Sequence, residues 1–208
     1  PETLPEKLGK VTDYGNTMFR TAKGRLIVQT WEDDREKSKT DRPKIAIAES
    51  TDNGRTWSDP VPSEVAAGWP SVLASLVPYG PILETRDGTM LRFLLGAAKE
   101  NSQFTNVVTW SAIHCKAFVT RSTDGGKHWS AAIEIDRPSW YQTERGAIPG
   151  SLDLTEPTGV SIGNKVVVLV RPVYSPTMWL CRSDDDGATW DSAARATFKA
   201  VSTFMTTA

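Results

Sequence analysis

The chain has 208 residues, 39% hydrophobic and 24% charged, with 24 basic against 25 acidic side chains and a formal net charge of -1. That balance offers no bulk cationic surface to a polyanion, so nucleic acid is not an expected partner. No run of about 18 apolar residues is present, which argues against a transmembrane helix. The opening PETLPEKLGK has no apolar signal-peptide core, and a mature or trimmed start would read the same.

In chain order, TMFRTA (17–22) is a strand-like run, and AKGRLIVQTW turns at Lys23-Gly24 into a second, more apolar one. A charged loop from Trp31 to Arg42 follows, and on composition alone it is solvated surface. KIAIAES (44–50) is the next strand and runs into the octet STDNGRTW at 50–57. The order then repeats. TRDGTMLRFLLGA carries the hairpin signal Asp87-Gly88, and KAFVTRS leads into STDGGKHW at 122–129, with AAIEI (131–135) running out again. In the third pass SIGNKVVVLVRP turns at Gly163-Asn164, and MWLCRS leads into SDDDGATW at 183–190. No closing strand is evident after it, because the pattern fades into FKAVSTFMTTA. No segment sustains a 3.6-residue apolar period, so helix is expected to be minor.

The octets S-x-D-x-G-x-x-W recur at offsets of 72 and 61 residues. Their residue types suit a tight turn. Asp accepts from the N–H groups that follow it, Gly supplies positive φ, and Trp buries a large face while its indole N–H still needs an acceptor. Asp52, Asp124 and Asp186 are therefore expected to be structural. A calcium reading of 184–187 fails on spacing, since an EF-hand loop starting at Asp184 would want Glu where Arg195 stands. Neither His114 nor His128 has metal-ligand company, and Gly125-Gly126-Lys127 belongs to a turn, so no metal or cofactor is expected. Cys115 and Cys181 are too few for a disulfide framework and are expected as free, buried strand residues.

Four-stranded units repeated in this way build β-propellers. The octet resembles the Asp box, or BNR repeat, of the sialidase (neuraminidase) superfamily, and the likeness covers residues from about 13 to 200. The resemblance implies an all-β fold of four-stranded antiparallel blades. About three are present in 1–208, half of a six-bladed ring, with the boxes on outer hairpins away from the active site. It implies an exo-glycoside hydrolase acting on terminal sugars, sialic acid among them, that is secreted or periplasmic. Missing blades or self-association would close the ring. A non-catalytic glycan-binding propeller, or a hydrolase of another sugar, is the alternative.

The resemblance also assigns roles. Sialidases place an Arg after the inner strand and the acid/base Asp six or so residues on, which falls on Arg35 and Asp41; Asp33 and Asp34 compete for the acid role. Glu156, in EPTGVSIGNKVVVLVR, would activate a Tyr nucleophile, and Arg171 would grip a substrate carboxylate. The residues themselves also permit a plain structural bridge between Glu156 and Arg171. Trp31, Trp69 and Trp140 could stack on sugar rings, or simply pack. The family's first carboxylate-binding Arg has no counterpart at Gly15-Asn16. Tyr14, Tyr79, Tyr141 and Tyr174 match no nucleophile segment, so the nucleophile is expected from outside this chain.

Overall fold

The structure, a computed structural model, describes residues 17–32, 44–63, 73–98, 115–135, 154–172, 178–191 and 194–195. Among these residues all regular structure is β, in thirteen strands and three antiparallel sheets. Sheet I is β1 (Thr17–Arg20), β2 (Leu26–Glu32), β3 (Lys44–Ser50) and β4 (Val61–Pro62), paired in chain order. Sheet III repeats this with β10 (Leu154–Ile162), β11 (Lys165–Pro172), β12 (Trp179–Ser183) and β13 (Ala194–Arg195). Sheet II differs in its first strand, which is split into β5 (Leu73–Pro78) and β6 (Leu83–Glu84). Both halves pair with β7 (Met90–Ala98), which continues to β8 (Cys115–Ser122) and β9 (Ile133–Glu134).

The closing strand of sheet III corrects the expectation that none follows the third octet. Ala194 and Arg195 pair with Leu180 and Trp179. Ala and Arg carry no strand propensity and no alternation, so backbone pairing alone reveals the element.

One register runs through all three sheets. The octet serines Ser50, Ser122 and Ser183 stand opposite Leu26, Met90 and Val166. Counting from them, side chains of like position face alike. Ile27 and Ile47 of sheet I join Ile82, Met90 and Trp129 of sheet II in one core cluster. Leu91, Phe93 and Val119, on the other face of sheet II, join Val166, Val168, Val170 and Trp179 of sheet III in a second. Each buried aliphatic or aromatic side chain contributes roughly 1.5–3 kcal/mol, against about 1 kcal/mol net for a hydrogen bond. Stacking of sheet on sheet therefore dominates stability. On the far face of sheet III the matching positions, Val167, Leu169 and Leu180, are only half-buried, and Val160 is 52% exposed.

The octets are closed by their own side chains. In each, the Ser hydroxyl accepts from the Gly N–H (Gly54, Gly126, Gly187) at 2.8–2.9 Å and donates to the Asp carboxylate at 2.8 Å. That carboxylate also accepts from the backbone N–H of Thr56, His128 or Thr189. The indole N–H of each Trp donates to the octet glycine carbonyl at 2.9–3.1 Å. The carboxylate in the third octet is Asp185; its neighbour Asp186 takes the left-handed position, φ 53, that Asn53 holds in the first.

These bonds make the octets acid-sensitive. The Thr56 hydroxyl and N–H hold Asp52 at about 2 against the usual 3.8, and Thr189 does the same for Asp185. The His128 N–H and ring hold Asp124 below its ordinary value as well. All three are depressed by folding, so the unfolded chain binds more protons between about pH 2 and pH 4. The stabilisation is complete above 3.8 and is lost as pH falls toward 2. Thermal melts taken from pH 6 to pH 2 should be flat at first and then drop steeply below about pH 4, and Asp52→Asn with Asp185→Asn should flatten that drop.

Cys181 is free and buried on β12, and burial followed by the charge of Asp191 pushes its thiol up to about 12. It is unreactive at neutral pH.

Candidate active site

Glu156 and Arg171 are brought together. β10 pairs residue for residue with β11 except between Thr155 and Thr158, where the register shifts by a bulge. Glu156 and Pro157 form that bulge, because a proline has no N–H to give to a ladder. Within it Glu156 takes φ 51, and among the described residues it is the one non-glycine left-handed residue inside a strand. Such a conformation costs on the order of 1–3 kcal/mol and survives only where the surroundings enforce it.

The bulge aims the carboxylate at Arg171, which stands near the end of β11 opposite Thr155. The guanidinium donates through Nη2 to Oε1 at 2.7 Å and through Nε to Oε2, a two-pronged ion pair. Arg171 and Glu156 are 36% and 30% exposed, so the pair is reachable from solvent. A guanidinium held at one edge is fixed in plane, and a carboxylate so held is oriented for contact with a third group.

The first strands of the three sheets meet beside this pair. Thr17 Oγ1 of β1 donates to the carbonyl of Gly80, in the break between β5 and β6, at 3.0 Å. Gly80 faces the carbonyl oxygen of Pro157. Neither the bulge nor this contact is among the expectations that the sequence sets. Pro81 and Pro157, each inside an otherwise strand-like run, are the signals that could have suggested them.

Trp31 lies in β2, opposite Ile45, at the register position that Arg171 holds in β11. β2 ends at Glu32 and β3 begins at Lys44, at that same end. Arg35, Asp41 and the competing Asp33 and Asp34 themselves lie outside the described residues, as do Trp69 and Trp140. Among the described residues no cluster of three or more His, Cys, Asp or Glu could hold a metal, and no helix is long and apolar enough to cross a membrane.

Antiparallel four-stranded sheets stacked face to face, with their first strands meeting, define a propeller-like all-β protein. Residues 11–203 match the family of BNR repeat-like domains, and the chain belongs to it. Among curated protein sequences none matches. Among solved structures the chain is similar to a protein of unknown function from Dyadobacter fermentans, with TM-score 0.62 and 16% identity, over 88% of this chain and 50% of that one. It is similar to the Hadza microbial sialidase Hz136, with TM-score 0.54 and 18% identity, over 82% and 30%. It is also similar to the intramolecular trans-sialidase from Ruminococcus gnavus, with TM-score 0.54 and 14% identity, over 90% and 61%. At these identities the likeness is one of fold, and the chain spans less than two thirds of each structure.

Proposed function

We propose that the chain is the N-terminal half of the catalytic propeller of a sialidase-like exo-glycoside hydrolase that works outside the cytoplasm on terminal sugars, sialic acid among them. The observation that carries this reading is the Glu156–Arg171 pair, built on a left-handed bulge and open to solvent. Sialic acid is an anion at its reacting centre, which disfavours a carboxylate nucleophile and favours a neutral Tyr; sialidases are a known exception to the two-carboxylate scheme. In this scheme Glu156 takes the proton of a Tyr hydroxyl supplied from outside the chain, and the phenolate oxygen attacks the anomeric carbon. The glycosidic bond breaks as Asp41, or Asp33 or Asp34 in its place, protonates the departing oxygen. That carboxylate, now without its proton, then deprotonates the water that displaces the Tyr oxygen from the anomeric carbon, and Glu156 returns its proton to the departing phenolate. Arg35 and Arg171 hold the substrate's carboxylate, and Trp31 and Trp140 stack on its rings.

The far face of sheet III supports the half-ring reading. Val160, Val167, Leu169 and Leu180 occupy the positions that sheet II covers on sheet I and that sheet III covers on sheet II. A further sheet, from the same polypeptide or another copy, fits there.

A second reading draws on the same pair. Glu156 already accepts two guanidinium N–H bonds, which ties its carboxylate to Arg171 and suits a glycan-binding propeller or a hydrolase of a different sugar. Sugar release from a panel of fluorogenic glycosides, sialosides included, separates the two. Glu156→Gln and Asp41→Asn should each cut turnover by roughly a hundredfold while sugar binding persists. Turnover unaffected by Glu156→Gln would remove the catalytic assignment.

A further inference from the structure

Sheet II grips the bulge of β10 from two sides, and Phe93 serves both. Its carbonyl accepts from the Tyr79 N–H at 2.9 Å, which anchors the break between β5 and β6 where Gly80 turns with φ 71. Its ring lies directly on Gly159, just past the bulge. A Cβ on Gly159 would stand 2.6 Å from Phe93 Cζ and 2.9 Å from Cε2, closer than real carbon atoms approach. Gly80 meets the bulge itself, since a Cβ there would lie 3.4 Å from the Pro157 carbonyl oxygen.

From these contacts we infer that Gly80 and Gly159 are positioning residues for the Glu156–Arg171 pair. Their missing side chains let the β5–β6 break and the Phe93 ring close on β10, and that closure keeps Glu156 left-handed. A residue before proline otherwise prefers extended backbone. Relaxing to it would remove the bulge and turn the Glu156 side chain toward the opposite face of the strand, away from Arg171. The inference rests on the proposed function only for its consequence in catalysis, because the geometry concerns the pair alone.

The test uses the 208-residue chain carrying Gly159→Ala, with and without Phe93→Leu to make room for the added methyl. The readout is solvent exchange of the Arg171 Nε–H, followed by nitrogen-15 NMR, with a melting curve for each variant. A role confined to general stability would lower the melting temperature and leave this exchange as in the parent chain. A positioning role predicts exchange faster by roughly tenfold or more in folded Gly159→Ala. Phe93→Leu in the same chain should bring it back. A folded Gly159→Ala chain with parental exchange overturns the inference. If Gly159→Ala does not fold, Gly80→Ala is the milder substitution, its methyl meeting the Pro157 carbonyl oxygen at 3.4 Å, and it is read by the same resonance with the same two outcomes. Turnover on the glycoside panel is measured in parallel. A loosened pair with unchanged turnover leaves the positioning role standing and removes the pair from the proposed catalysis. An intact pair removes the positioning role whatever the turnover.

Discussion

Arg92→Ala should lower stability by about 3–5 kcal/mol, and exchanging Arg92 and Ser63 together for Val and Ile should restore it to within about 1 kcal/mol. Arg92 is fully buried between sheets I and II. Its Nη1 and Nη2 donate to the carbonyl and hydroxyl of Ser63 at 2.5 and 2.7 Å, and its guanidinium lies 3.9 Å over the Trp129 ring. The same Ser63 hydroxyl accepts from the Trp129 indole and donates to the Gly126 carbonyl. Burial pulls the guanidinium down to about 9 from 12.5, so it is still a cation at neutral pH, and its desolvation is a cost. Truncating it leaves a void and removes the two guanidinium donors to Ser63, whose hydroxyl keeps the Trp129 indole N–H. The repeat shows what could stand there instead. By register Val168 of β11 is the counterpart of Arg92, and Ile135, after β9, is the counterpart of Ser63; both are buried in the apolar cluster between sheets II and III. Calorimetry on Arg92→Ala, Ser63→Ile and Arg92→Val with Ser63→Ile checks this. At roughly 2–4 °C per kcal/mol for a chain of this size, Arg92→Ala should melt about 6–20 °C lower. A double variant no more stable than Arg92→Ala would mean that the two interfaces are not interchangeable.

Trp179→Ala is expected to be as damaging, at about 3–5 kcal/mol, whereas Trp179→Phe should cost about 1–2 kcal/mol. Trp179 is fully buried on β12 opposite Val170, in the cluster that joins sheet III to sheet II. Its counterpart in sheet II is Phe118, also buried, so a phenyl ring suits the position. The consequence reaches the candidate site, because the sheet that Trp179 ties to sheet II is the one carrying Glu156 and Arg171. Melting curves should fall sharply for Trp179→Ala. Under the proposed function Trp31→Ala and Trp140→Ala should instead weaken sugar binding at nearly unchanged melting temperature. If Trp179→Ala melts like the parent chain, the II–III interface does not carry the stability assigned to it.

Much of this was legible in the chain itself. Alternating apolar runs, hairpin signals at Gly24, Gly88 and Gly163, and three octets with Ser, Asp, Gly and Trp at fixed spacing determined the strand order and the repeat. They did so because strand alternation and turn chemistry are local. A short-range pattern also placed Glu156 and Arg171 at the two ends of one hairpin, within reach across it. What the tertiary structure decided is non-local. The split first strand of sheet II, the left-handed bulge at Glu156, the Phe93 ring over Gly159 and the Arg92–Ser63–Trp129 contact all join residues from different strands, most of them from different sheets. Arg92 reads as a polar residue in an apolar run until Ser63, 29 positions earlier, is folded against it. Ala194–Arg195 reads as no strand until β12 lies beside it. Local sequence sets which elements form, and packing between sheets selects the backbone exceptions that give the Glu156–Arg171 pair its geometry.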